Sequence, residues 1–214
     1  CLAVGFRAGV WNIGAEGQFV IGALAGGSVA LALHGNEGIW ILPLMCIAGA
    51  LGGMAWAAIP AFLRTRFNAN EILTSLMLVY VAQLFLDWLV RGPWRNPEGF
   101  NFPETRTFHQ FAVLPEILPA SGRANLGFVF AILAAIAVWF MLTRTLKGFE
   151  VKVIGQSPRA GRFAGFSQSR MIFFAFLLSG ALAGLAGISE VSGAIGQLRP
   201  TISPGYGFTA IIVA

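Results

Sequence analysis

The sequence has few charged residues. Only 11% of its 214 residues are Asp, Glu, Lys or Arg, whereas 57% are hydrophobic, and a typical soluble domain carries roughly 25% charged residues. A soluble globule with so little charge could not cover its own surface, and a disordered chain would be far less apolar. We therefore predict that lipid surrounds most of this chain.

The sequence also lacks the common motifs of catalysis and cofactor binding. It contains no GxxxxGK[ST] loop for nucleotide phosphates, and neither the GxSxG nor the HExxH pattern occurs. Cys1 and Cys46 have no CxxC spacing, and His34 and His109 have no partners at metal-ligand spacing. We expect this chain to be neither an enzyme nor a metal protein, and to hold no cofactor of its own.

Long apolar runs predict an all-α, polytopic transmembrane helix bundle. A spanning helix needs about 20 mostly apolar residues, and continuous apolarity excludes the alternation of barrel strands. Four runs meet this length clearly: Gly38–Leu63, Glu71–Val90, Asn125–Thr143 and Met171–Val191. Gly17–Leu33 is shorter, another run begins at Tyr206, and Leu2–Val10 resembles the end of an earlier span. We predict about six spans in residues 1–214, interpreted as one transmembrane domain and a fragment of a longer protein.

Basic residues predict the orientation of these spans. The net charge is +5, but Lys and Arg lie in short stretches between apolar runs, which is typical of membrane topology and not of a nucleic-acid-binding face. Most of the Lys and Arg residues lie in residues 64–66 and 144–170, and these two segments are predicted to be cytoplasmic. Residues 91–124, which are rich in proline, are then predicted to form an external loop.

Glycine spacing predicts close helix packing. In a membrane the hydrophobic effect does not drive helices together, so they associate through close packing. Small residues four positions apart allow two helix backbones to approach closely. The sequence has three such pairs within its apolar runs: Gly22/Gly26, Gly49/Gly53 and Gly180/Gly184.

An isolated polar segment precedes the first complete span. Asn12, Glu16 and Gln18 lie between apolar residues, together with two glycines that can interrupt a helix. A carboxylate at membrane depth is costly and normally faces protein or water. One interpretation is a broken helix whose three polar side chains converge on a translocation pathway. The other is an interfacial loop in which Glu16 caps the following helix.

Residues 157–165 have the pattern of a very short capped helix. Ser157 fits an N-cap, Pro158 the first helical position, and Gly165 the residue that ends the helix. A free helix of this length is marginal in water, so packing must stabilise it. Either its own bundle or a second protein could supply that packing, and an anchor facing anionic lipid is the plainer alternative. The surface that a second protein would contact consists of the small residues Ala160 and Gly161 and the pair Arg159 and Arg162.

Five blocks in order resemble one family of membrane proteins. They are residues 5–18 (GFRAGVWNIGAEGQ), 70–82 (NEILTSLMLVYVA), 148–165 (GFEVKVIGQSPRAGRFAG), 179–187 (SGALAGLAG) and 205–214 (GYGFTAIIVA). Together they resemble the permeases of bacterial ABC importers in the branched-chain amino acid/simple sugar superfamily, and most of all the nucleoside-type branch. The resemblance covers nearly the whole chain apart from residues 91–123.

The resemblance implies a permease of about ten helices in the cytoplasmic (inner) membrane. It implies partnership with a second permease copy or homologue, two ABC ATPase subunits that bind ATP and Mg²⁺, and a solute-binding protein. The helix near residues 158–164 would be the coupling helix that contacts an ATPase. The expected cargo is a small polar solute, a nucleoside or a simple sugar, moved by alternating access. An ion-coupled secondary transporter or channel is the alternative, although it would need more buried carboxylates or histidines than this sequence offers.

Overall fold

The computed structural model describes residues 2–117 and 125–214. The α-helices in this part of the chain are α1 (Leu2–Arg7), α2 (Ala15–Ala32), α3 (Ile41–Phe67), α4 (Glu71–Arg91), α5 (Leu126–Arg144), α6 (Leu146–Gln156), α7 (Pro158–Phe163), α8 (Gln168–Glu190) and α9 (Tyr206–Val213). α8 continues as a π-helix over Val191–Ile195, and a 3₁₀-helix covers Gln110–Ala112. Cys1 and residues 118–124, the end of the predicted external loop, lie outside the described residues.

The predicted all-α polytopic bundle is confirmed. Among the described residues, five helices are long and apolar enough to cross a membrane: α2, α3, α4, α5 and α8 with its π-helical extension. The element predicted to begin at Tyr206 does begin there, as the eight-residue α9. The short run at the start of the chain contains α1, which has six residues. Of the six predicted spans, five therefore have full length in the described part of the chain.

Polar side chains fix where several helices begin. At an N-cap, a side-chain oxygen accepts a hydrogen bond from a backbone N–H that has no partner inside the helix. In residues 2–117 and 125–214, five residues cap a following helix in this way: Asn70, Asn125, Thr145, Ser157 and Ser167. Four of these caps lie at the end of the bundle that carries α6 and α7, whereas Asn125 starts α5 at the other end.

α2, α3 and α8 form the centre of the bundle, and glycines line their contacts. A Cβ atom on Gly22 would collide with the backbone of Gly184, and one on Gly53 would collide with the carbonyl oxygen of Gly180. A Cβ on Gly184 would likewise collide with the carbonyl oxygen of Gly49. The backbones of the three helices are thus in direct contact, and the predicted role of the glycine pairs is confirmed.

α4 and α5 lie at the periphery. α4 buries one side, including Val79 and Leu86, against α2 and its neighbours, while no residue of α5 is buried. Large apolar side chains such as Trp139 and Phe140 are more than half exposed along α5. An exposed apolar surface of this extent is suited to lipid or to further membrane helices.

The segment between α4 and α5 packs against the chain that follows α8. The Thr105 N–H donates to the carbonyl of Leu198 at 3.1 Å, and the Leu198 N–H donates to the Thr105 hydroxyl at 3.0 Å. The Phe108 N–H also donates to the carbonyl of Gly196 at 2.8 Å. The described part of the predicted external loop is therefore an ordered cover over one end of the bundle.

The α3–α4 turn lies at the opposite end, beside α6 and α7. The Arg64 guanidinium and the Glu71 carboxylate form an ion pair at 3.2 Å, with Glu71 largely buried. Both side chains line a small space that Pro158 of α7 and Gln168 of α8 also border. The two basic segments of the sequence are thus found together at one end of the bundle.

Candidate functional site

The chain departs from helical geometry between α1 and α2. Gly9 has a φ of +70°, a conformation that glycine adopts without strain. The Gly14 N–H then donates to the side-chain oxygen of Asn12 at 3.0 Å, which forms a local turn. A Cβ on Gly14 would lie 2.9 Å from the Cβ of Ser75, so α4 approaches closely at this point. The predicted interruption of the helix is confirmed.

Asn12 and Gln18 hold this interruption through a reciprocal amide pair. Asn12 Nδ2 donates to Gln18 Oε1 at 2.9 Å, and Gln18 Nε2 donates back to Asn12 Oδ1 at 3.1 Å. Asn12 Nδ2 also donates to the hydroxyl of Ser179 on α8 at 3.0 Å. Only 1–2% of each amide residue is exposed, and Ser179 is fully buried. The cluster joins the turn, α2 and α8, and its polar groups are satisfied internally.

Glu16 has a separate partner. Its Oε2 accepts a hydrogen bond from the backbone N–H of Gly207 at 2.6 Å, in the first turn of α9. The N-terminus of a helix carries partial positive charge, which stabilises a nearby carboxylate. Gly207 has no room for a side chain, because a Cβ there would collide with the Glu16 backbone.

The three polar residues predicted near the start of α2 therefore do not converge as a group. Asn12 and Gln18 meet each other, whereas Glu16 points to α9. The alternative interpretation placed Glu16 at the start of the following helix, and Glu16 does lie in the first turn of α2, but its carboxylate accepts a hydrogen bond from the first turn of α9. The capped helix begins 190 residues further along the chain, a pairing that local sequence does not reveal.

Glu16 also borders an open cavity of about 520 Å³, which we call the α4 cavity. On one side lie Tyr80, Gln83, Asp87 and Arg91 of α4, and on the other lies the non-helical segment 200–203 that leads into α9. The Asp87 carboxylate and the Arg91 guanidinium form an ion pair at 2.7 Å near the end of α4. The cavity thus has polar groups along its length.

The sequence contained a signal for this wall. Tyr80, Gln83, Asp87 and Arg91 are three or four positions apart, so they share one face of α4. This row was not identified from the sequence. The opposite wall lies more than a hundred residues away in sequence, so only the fold reveals that the two walls face each other.

The short cytoplasmic helix predicted near residues 158–164 is formed as α7. The Ser157 hydroxyl accepts a hydrogen bond from the Ala160 N–H at 3.3 Å, and Pro158 occupies the first helical position. Gly165 has a φ of +81° and ends the helix. Its N–H donates to the Arg162 carbonyl at 3.0 Å, in the pattern of a Schellman motif.

The residues of α7 divide between two faces. Gly161 is buried, and a Cβ there would lie 2.9 Å from the Cγ1 of Ile154 on α6. Arg159, Ala160 and Arg162 are exposed. Phe163, which sequence reasoning did not single out, is 95% exposed. Gly161 therefore packs within the chain, and the surface that α7 offers consists of the other residues and a protruding aromatic ring.

Metal-ligating side chains are not clustered in the described part of the chain. Within residues 2–117 and 125–214, no group of three His, Cys, Asp or Glu side chains could hold a metal ion. Neither the α4 cavity nor α7 therefore has the ligand set of a metal site there.

Comparison with known proteins gives a consistent assignment. A family profile described as "Branched-chain amino acid transport system / permease component" matches residues 1–214. A glucose ABC transporter permease of Haloferax volcanii is 42% identical, over 97% of this chain and 57% of that protein. A guanosine ABC transporter permease of Bacillus subtilis is 33% identical, over 100% of this chain and 61% of that protein.

A more distant relative is a probable riboflavin import permease of Treponema pallidum, 29% identical over 99% of this chain and 56% of that protein. The chain thus spans somewhat more than half the length of these curated relatives. No solved structure matches it. The profile match over all 214 residues and the identity to the glucose permease show that the chain belongs to the branched-chain amino acid transport system permease family.

Proposed function

We propose that this chain is part of the membrane-spanning subunit of an ATP-driven importer for a small polar solute, a nucleoside or a simple sugar. The observation that carries the proposal is α7, a capped two-turn helix that presents Arg159, Arg162 and Phe163 to solvent at one end of a bundle of spans. The named cargoes of the relatives, glucose and guanosine, support the solute class.

The end of the bundle that carries α6 and α7 is the cytoplasmic end in this proposal. Arg64 and Arg66 at the end of α3, and the basic residues of 144–170, meet there, as the positive-inside rule requires. The ordered segment between α4 and α5 is then external. The chain would lie in the cytoplasmic (inner) membrane, in direct contact with the lipid bilayer along α5.

α7 is the proposed contact with an ABC ATPase. Its buried Gly161 leaves α7 held against α6, while the two arginines and the aromatic ring extend outward. Because so short a helix is marginal alone, a partner that packs against it would both order it and respond to its position. ATP and Mg²⁺ would bind to two such ATPase subunits and not to this chain.

Solute delivery and pathway formation require further partners. A solute-binding protein would deliver the solute to the external side, and a second permease copy or homologue would complete the pathway. Glu16 borders this pathway in the proposal, whereas Asn12 and Gln18 shape it by fixing the turn before α2. Transport would follow alternating access, with the energy supplied by the ATPases docking differently in two states of the bundle.

Uptake into cells that carry the full transporter tests the energy source. Loss of uptake on ATP depletion, with resistance to an uncoupler, is the expected result. An ion-coupled transporter or channel, the alternative function, would show the reverse pattern, and that result would refute the proposal. Among the described residues, Glu16 is the one buried carboxylate at the α4 cavity, and this favours the ATP-driven importer over an ion relay.

A further inference from the structure

We infer that the α4 cavity is the binding site for an uncharged polyhydroxyl solute, with Gln83 as a residue that binds its hydroxyl groups. This inference rests on the proposed import function and adds to it a location and a ligand chemistry. Four observations carry it: the polar row on α4, the non-helical wall opposite, the volume of the cavity and its charge.

The polar row on α4 is the first observation. Gln83, Asp87 and Arg91 lie four residues apart on a helix that is otherwise apolar enough to span a membrane. Facing lipid, such groups would be costly, so they normally face protein or water. Gln83 is exposed, and it lies about two turns before the end of α4. A row of this kind is typical of a surface that water and solute reach.

The wall opposite supplies a second set of polar groups. Residues Pro200–Ser203 are not helical, although the next helix, α9, begins beside the Glu16 carboxylate. Non-helical backbone at membrane depth is tolerated where it is buried in protein or lines a cavity. The exposed Thr201 hydroxyl and the backbone carbonyls of this segment therefore provide donors and acceptors across from Gln83.

Volume and charge define the ligand. A cavity of about 520 Å³ is within the usual range for small-molecule sites, roughly 300–1,000 Å³. Asp87 and Arg91 pair with each other, so their charges largely cancel. The Glu16 carboxylate, almost wholly buried at the end of the cavity, leaves a net negative charge. This charge repels anionic solutes, while amide, carboxylate and hydroxyl groups suit the many hydroxyls of a sugar, a ribosyl group or a ribityl chain.

Cysteine protection in the complete transporter tests the site. In membrane vesicles, the variant Gln83→Cys is compared with Gln110→Cys, at an exposed position of the proposed external segment outside the cavity, each with Cys1 and Cys46 replaced by alanine. The probes are glucose, guanosine and riboflavin, and ATP-driven uptake identifies which of them the vesicles accumulate. That solute should slow modification of Gln83→Cys by a water-soluble thiol reagent and leave the modification rate of Gln110→Cys unchanged. The phosphorylated form of the same solute should give no protection.

Each outcome has one meaning. ATP-driven uptake without protection of Gln83→Cys overturns the site and leaves the import function intact. Protection by the phosphorylated form overturns the assignment of an uncharged ligand. Failure to accumulate any of the three probes under ATP removes the proposed function and this inference with it. As a second measurement, Gln83→Leu should raise the KM of uptake about fivefold, the effect of one neutral hydrogen bond, while Val81→Leu leaves KM unchanged.

Discussion

The carboxylate of Glu16 and the backbone N–H of Gly207 form a hydrogen bond of 2.6 Å that joins the first turn of α2 to the first turn of α9. Both helices begin within the bundle, after segments that are not helical. The negative charge of Glu16 is thus stabilised by the N-terminus of α9, which offers an N–H group and partial positive charge. The contact explains how a carboxylate with 1% exposure is retained among apolar helices.

Replacing Glu16 with glutamine should impair uptake without preventing membrane insertion. The amide oxygen can still accept a hydrogen bond from Gly207, but the charge at the α9 N-terminus is lost. Such an interaction contributes up to about 2 kcal/mol in partly buried sites, so the α2–α9 contact should weaken and uptake should fall. Initial uptake rates, normalised to the amount of inserted protein, measure the effect. Normal uptake kinetics would leave Glu16 with a capping role alone.

Gly207→Ala should destabilise the bundle. The added Cβ would collide with the Glu16 backbone, so α9 or the start of α2 must shift. Insertion of a methyl group into a tight contact typically costs about 1–3 kcal/mol. Thermal unfolding of the detergent-solubilised protein should show a lower Tm. Thr209→Ala, at an exposed position of the same helix, should change Tm much less, and equal Tm values for the two variants would contradict the contact.

The hydrogen bonds of the Asn12–Gln18–Ser179 cluster predict which substitution lowers the Tm more. Asn12→Ala leaves Gln18 and Ser179 without their shared partner, and each unsatisfied buried group costs about 1–3 kcal/mol. Ser179→Ala removes one hydrogen bond and leaves the amide pair intact. Asn12→Ala should therefore lower Tm more than Ser179→Ala. In the double variant, the effect of Ser179→Ala should be smaller than in the wild type, and strictly additive changes would argue against the cluster.

Arg64 and Glu71 provide a test at the opposite end of the bundle. Arg64→Glu and Glu71→Arg each place like charges at the position of the 3.2 Å ion pair, and both should lower Tm. The double variant should recover part of the loss, with a coupling energy of about 0.5–1 kcal/mol. Recovery stays incomplete because a cation is unfavourable at the N-terminus of α4. A double variant no more stable than the additive expectation would show that the two side chains do not interact.

The exposed face of α7 should control assembly with the ATPase. Replacing Arg159 and Arg162 with glutamate reverses the charge of this face, and Phe163→Ala removes its protruding ring. Both changes should reduce co-purification of the ATPase and transport-linked ATP hydrolysis. The control replaces Arg144 and Lys152 with glutamate, which makes the same change of charge at exposed residues outside α7. Unchanged co-purification in both α7 variants would refute the docking role.

Local patterns in the sequence predicted the helices and their ends. Continuous apolarity over 20 residues predicts a span, because lipid requires every backbone polar group to be satisfied inside the helix. Capping depends on residues that are neighbours in the chain, so Ser157, Pro158 and Gly165 were identified from spacing alone. Glycines four apart predicted close packing of the runs that form α2, α3 and α8, because that signal lies within each helix, but they did not predict that these three helices contact one another.

Long-range pairings could not be obtained in this way. The partner of Asn12 on α8 and the partner of Glu16 on α9 are 167 and 191 positions away, and neither Ser179 nor Gly207 is distinctive in composition. The α4 row was visible as a spacing of three and four, but its meaning depends on the segment that faces it. Phe163 was overlooked because an apolar residue at the end of a short helix normally packs inward, and here it points into solvent.

The glycine contacts of α2, α3 and α8 limit which parts of the molecule can move. With backbones touching at Gly22, Gly53, Gly180 and Gly184, none of the three helices can slide or rotate against another without opening a void or forcing a collision. If the chain transports solute as proposed, these helices should move as one rigid block. In the proposed transport cycle, displacements that open one side of the membrane and close the other would then be left to α4, α5 and α9, which contact that block less extensively.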